Sequence, residues 1–169
     1  MFSGVDYSIF LNLSIAMVLG MIIGAERLYA HKTASMRTYA MVSMGASLFV
    51  TIAILGGSML AGTYPGINPL YVVAQIIPGI GFLGAGIIFF KNSQLTGVTS
   101  ASGLWVCAGV GMACGFGFWG IATVATLLAL FIFIVLWSIE QRVRKMVPEE
   151  KEDQKQSVLK PRKTAKIPK

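Results

Sequence analysis

Charge is almost missing from the middle of this chain. Between Thr38 and Ile139 the only Lys, Arg, Asp or Glu is Lys91. Charged residues make up 12% of the whole, against about 25% in a soluble globular chain. A water-soluble domain of this size could not cover its surface with so few charges. Carboxylates are scarcer still, with none between Glu26 and Glu140. Paired acids for proton transfer, or an acidic path for cations, are therefore lacking within the apolar stretch. Histidine occurs once, as His31, and has no sequence neighbour suggesting a nucleophile. Cysteine occurs twice, as Cys107 and Cys114. Seven residues apart, the two share a helix face and cannot bridge within one helix. They read as small buried residues. No metal-ligand spacing occurs, and neither an enzyme nor a bound cofactor is expected.

What is present is apolar: 55% of all residues. The expected fold is all-α, a polytopic membrane bundle of about five transmembrane helices, with the lipid bilayer as its solvent. A spanning helix needs about 20 apolar residues. The spans read as 8–25, 38–60, 70–90, 97–115 and 119–138. The first is not a secretory signal by pattern, because no basic segment precedes it. Gly, Pro and Asn between Ala61 and Pro69 mark the turn after the second span. The uncharged run from Thr96 to Ile139 would be about 60 Å long as one helix, twice the hydrocarbon core, so it must fold back. The glycine-dense segment from Gly115 to Gly120 is the natural reversal.

The formal charge of +7 comes mostly from basic residues after Trp137, with no folded basic face among them. Nucleic acid is not an expected partner. Residues 1–145 form the expected bundle. Residues 146–169, polar and running from acidic to basic, read as a disordered basic cytoplasmic tail. Basic residues fall in the first loop (Arg27, Lys32, Arg37), the third (Lys91) and the tail (Arg142, Arg144, Lys145). The second loop and the Gly115–Trp119 reversal carry none. The positive-inside rule then puts the N-terminus outside and the C-terminus in the cytoplasm.

Gly79-Ile80-Gly81-Phe82-Leu83-Gly84 spells a dinucleotide-binding pattern, but no strand precedes it and no acid follows at the ribose-binding distance. Inside a span, Gly79, Gly81, Gly84 and Gly86 instead permit close helix packing. Gly20-x-x-x-Gly24 and Gly111-x-x-x-Gly115 repeat that logic, and Ser43, Ser47 and Thr51 form a small polar stripe. A compact bundle without a water-filled pore in one subunit is expected. Pro78 should bend the third span. Asn12 and Gln75 are intramembrane amides that need partners, as interhelical links or as ligand groups. Glu26 is better placed for Arg37 than for its neighbour Arg27, since adjacent helix residues do not face each other. Alternatively, these residues anchor helix ends by snorkelling. Thr96, Thr99, Ser100 and Ser102 suit a helix start, as caps or as part of an anion site.

Several blocks together resemble the MgtC/SapB family. They are Gly24-Ala25-Glu26-Arg27, Arg37-Thr38, the run Gly79 to Gly86, and Gly97-Val98-Thr99-Ser100-Ala101-Ser102-Gly103-Leu104-Trp105. The resemblance covers roughly residues 8–138. Ser35, Pro78 and the Thr99–Ser102 block depart from the family's usual residues. The resemblance implies a short form without the C-terminal cytoplasmic domain of longer members. It also implies a bacterial inner-membrane protein, non-enzymatic, modulating other membrane proteins in adaptation to low Mg²⁺ or host-cell stress. Glu26, Arg27, Arg37 and Thr38 would then be the functional cytoplasmic cluster, and the Gly79–Gly86 block the packing core. The partner would be another membrane protein or a second copy. The alternative is an Mg²⁺ or small-solute transporter acting as an oligomer, with a ring of Glu26 carboxylates.

Overall fold

The computed structural model describes residues 5–32, 34–63, 68–91 and 94–146. The expected tail beyond Met146 lies outside them. Among the described residues, five helices are long and apolar enough to cross a membrane: Tyr7–Tyr29, Met36–Leu60, Pro69–Ile87, Val98–Gly115 and Trp119–Val143. The protein is an all-α, multi-pass membrane protein. Its chain divides into two units, Met1–Ile134 and Val135–Lys169.

The first unit contains α1 (Val5–Tyr29), α2 (Met36–Leu60), α3 (Pro69–Ile87), α4 (Val98–Gly115) and α5 (Trp119–Phe131). A π-helical turn, Ile132–Leu136, follows α5. In the second unit, α6 (Trp137–Met146) is strongly amphipathic, with Trp137, Ile139, Val143 and Met146 exposed beside Arg142 and Lys145.

Local sequence explains the helix ends. The last turn of α1 closes with hydrogen bonds from Lys32 N–H to the Arg27 carbonyl (3.0 Å) and from His31 N–H to the Leu28 carbonyl (3.1 Å). This is the Schellman pairing, whose pivot residue adopts the left-handed conformation usually given to glycine. Here the pivot is His31, at φ 53°. At the start of α3, the Asn68 side-chain oxygen accepts from Leu70 N–H at 3.0 Å, and Pro69 supplies a first helical residue that needs no donor.

The expected third span ends differently. Helix α3 stops at Ile87, and β1 (Phe89–Lys91) pairs antiparallel with β2 (Gln94–Thr96), Phe90 opposite Leu95. Bulky Ile88, Phe89 and Phe90 suit extended backbone. The Thr96 hydroxyl locks the pair by donating to the Phe89 carbonyl at 3.0 Å. Gly97, at φ 90°, then turns the chain into α4. It caps without a side-chain hydrogen bond, so the hydroxyls near this helix start are not caps. The Ser102 hydroxyl instead donates back to the Val98 carbonyl, and Ser100 is buried.

Helix α4 is the centre of the bundle, touching α1, α2, α3 and α5. Its inward residues include Gly103, Cys107, Ala108, Gly111, Cys114 and Gly115, small enough to let neighbouring backbones approach. A Cβ on Gly20 would lie 2.7 Å from Ser43 Cβ, and one on Gly115 would lie 2.8 Å from the Ser47 carbonyl oxygen. A Cβ on Gly111 would collide with the Ser43 backbone. The two G-x-x-x-G pairs and the serine stripe of α2 thus interlock α1, α2 and α4. Large side chains point outward, toward lipid: Phe10, Phe49, Phe82 and Leu127 are all exposed.

Candidate functional site

The end of α1 carries Glu26 and Arg27 into different surroundings. Arg27 is only 2% exposed. Its Nε donates to Glu26 Oε2 at 2.6 Å and its Nη2 to Glu26 Oε1 at 3.1 Å. This two-pronged contact is the strongest geometry an arginine and a carboxylate can adopt. The expected Glu26–Arg37 pairing is not formed; Arg37 and Thr38 are exposed on the first turn of α2. Burial decides the outcome. A guanidinium withdrawn from water requires a counter-charge, and Glu26 is the acidic side chain within reach. The flexible arms of both residues overcome the poor facing of adjacent helix positions.

The far side of the guanidinium rests on an aromatic face. Arg27 Cζ lies 4.0 Å from the centroid of Phe133, a cation–π contact strengthened by the dry setting. Phe133 reaches this place from the π-helical turn, an irregularity often found at functional sites. Arg27 Nη1 is buried without a hydrogen-bond partner among the described residues.

Tyr39 completes the floor. Its ring is fully buried, and its hydroxyl donates to the Ser100 carbonyl at 3.1 Å, joining α2 to α4. Cys107 Sγ lies 3.2 Å from the Tyr39 carbonyl oxygen, to which it donates. Gly103 is the clearance for this corner: a Cβ there would stand 2.7 Å from Phe133 Cζ and press on the Tyr39 hydroxyl. Tyr39 and Phe133 were not singled out by the sequence, and Gly103 stood only within the Gly97–Trp105 block, with no role of its own. Their only sequence signal is an aromatic or a glycine in an apolar run, which specifies no partner.

The remaining expected residues lie elsewhere. Asn12 ties three helices together, accepting from Trp119 Nε1 at 2.8 Å and donating to the Gly115 carbonyl at 3.5 Å. Gln75 is exposed on α3. Of the four glycines expected as a packing core, only Gly84 packs within the chain, where its Cβ position is 3.5 Å from Ala101 Cβ. Among the described residues nothing lies within 4 Å of the Cβ positions of Gly79, Gly81 or Gly86. In-chain packing therefore belongs to the glycines of α1 and α4, because α3 turns only Ile76 and Gly84 fully inward.

The arrangement can hold one internal charge pair firmly. Among the described residues no three His, Cys, Asp or Glu side chains gather as metal ligands. A cleft of about 330 Å³ between α3, α4 and α5 is lined by apolar residues, including Ile80, Trp105, Met112 and Ile121.

Comparisons with known proteins agree with one another. The chain is similar to Protein MgtC of Salmonella choleraesuis (strain SC-B67), 39% identical over 150 residues, covering 89% of this chain and 61% of that protein. The same figures hold for Protein MgtC of Salmonella typhimurium (strain LT2). Protein MgtC of Brucella abortus (strain 2308) is 40% identical over 126 residues, covering 75% of this chain and 50% of that protein. The chain thus spans about three fifths or half of the length of these relatives. No solved structure matches it. The profile of the MgtC family matches residues 13–142, which reaches from within the first apolar span into the fifth and includes the Glu26–Arg27 site, and the chain belongs to that family.

Proposed function

We propose that this chain is a non-enzymatic membrane regulator, acting by contact with another membrane protein in the bacterial inner membrane. The carrying observation is the state of its charges. Among the described residues the buried guanidinium, that of Arg27, is neutralised by Glu26 and covered by Phe133, and no Lys, Arg, Asp or Glu except Lys91 occurs between Thr38 and Ile139. A cation crossing this bundle would meet no chain of oxygen-rich acidic sites. The setting, adaptation to low Mg²⁺ or host-cell stress, is what the family resemblance implies. Glu26, Arg27, Arg37 and Thr38 remain the proposed cytoplasmic cluster, with the first two as its rigid part and the last two as its exposed edge. A cytoplasmic C-terminus is the reading that the basic residues Arg37, Lys91, Arg142 and Lys145 support under the positive-inside rule.

The test is flux into liposomes. Purified protein is expected to pass no Mg²⁺ above empty vesicles. Mg²⁺ uptake that is lost in Glu26→Gln would replace this reading with an oligomeric carrier.

A further inference from the structure

We propose that the outward face of α3 is a self-association surface, on which two copies of this chain pair in parallel across a two-fold axis normal to the membrane. Tyr71, Gln75, Pro78, Phe82 and Gly86 recur every three or four residues, so they form one continuous helical face. All five are exposed, with Phe82 at 79%. The buried residues Ile76 and Gly84 lie on the opposite side.

Two polar features distinguish this face from ordinary lipid-facing surface. The Gln75 amide makes no hydrogen bond to any described residue. It is the seventh residue of α3, about 9 Å along the axis and so within the hydrocarbon layer. An amide there requires a partner. Pro78, lacking an N–H, also leaves the Ala74 carbonyl without its usual donor four residues on. The face therefore offers both a donor and acceptors at one depth.

A second copy answers this demand without further assumption. Copies inserted with the same topology present Gln75 at the same height, so in a parallel pair each amide meets its own counterpart. An amide donates and accepts, which makes it complementary to itself. A single buried amide is known to fix register and stoichiometry in helix pairs. Gly79 and Gly86 lie about one and three turns further along α3, and their open Cβ positions allow the two backbones to approach. This inference goes beyond the regulatory reading and does not rest on it; Mg²⁺ flux would leave it standing.

The test uses the full chain carrying Met146→Cys, labelled with donor or acceptor dye and reconstituted into phosphatidylcholine–phosphatidylglycerol vesicles. Cys107 and Cys114 are buried and do not compete for label. Energy transfer is expected to persist on lipid dilution and to fit a dimer. Gln75→Leu is expected to weaken the pair about ten-fold, and Gly79→Leu with Gly86→Leu to do the same, with helicity and melting unchanged because neither site packs within the chain. In native membranes, Phe82→Cys is expected to crosslink to its own copy, whereas Phe131→Cys is not. A wild type that is monomeric at all dilutions overturns the proposal, as does a Gln75→Leu dimer of unchanged affinity. Crosslinking of Phe82→Cys to a different protein alone also overturns it.

Discussion

Removing the carboxylate beside Arg27, while leaving the guanidinium in place, isolates a charge that is 2% exposed. Glu26→Gln is expected to destabilise the protein by about 3 kcal/mol, read as a lower unfolding midpoint in mixed-micelle denaturation. Adding Arg27→Met should restore most of that loss, because the cost arises from the unpaired charge and not from the empty space. A double variant no more stable than the single one would refute this origin. Arg37→Gln, at an exposed position, should change the midpoint by no more than about 0.5 kcal/mol. The sequence made Glu26 and Arg27 legible as candidates, since charge is conspicuous in an apolar chain. It did not reveal which partner wins. That depends on Phe133, which arrives from a distant turn to close over the guanidinium, and local facing rules contain no information about it. Asn12 was legible as an amide that needs partners; Trp119 and the Gly115 carbonyl were not, for the same reason.

Helix ends and helix contacts follow a different logic. His31 holds the left-handed pivot after α1 at φ 53°, where a Cβ is strained and glycine is not. His31→Gly is expected to raise the thermal midpoint, corresponding to about 1 kcal/mol, and His31→Val to lower it. In the helix contacts, glycines that look alike in sequence divide by what they face. Gly111→Ala should cost about 1–3 kcal/mol or more, since the added methyl meets the Ser43 backbone. Gly81→Ala, with open space at its Cβ, should be neutral or slightly stabilising in the same denaturation assay. Equal losses at both positions would contradict the packing described. Small-residue spacing marked the seams of α1 and α4 because their glycines turn toward α2, where Ser43 and Ser47 leave no room for a Cβ. For Gly79, Gly81 and Gly86 it gave a face without saying which way that face is turned, and their Cβ positions are open to the described residues. The β1–β2 hairpin escaped notice since three-residue strands carry too little periodicity to register.

Across the whole molecule, five apolar helices were legible from composition alone, because hydrocarbon tolerates little else. Their mutual arrangement was not, as every helix is apolar on all sides and hydropathy cannot orient it. The proposed topology yields its own prediction: a reporter active only in the cytoplasm should function when fused after Met146 and fail when inserted at Thr63. The reverse pattern would invert the molecule.

The interlock of Gly20, Ser43 and Gly111 has a mechanical consequence. Side chains this short possess almost no rotamers to exchange, so a signal cannot travel through the seam by local reshuffling of its contents. Any movement there must carry α1, α2 or α4 as a rigid rod, sliding or tilting whole against its neighbours.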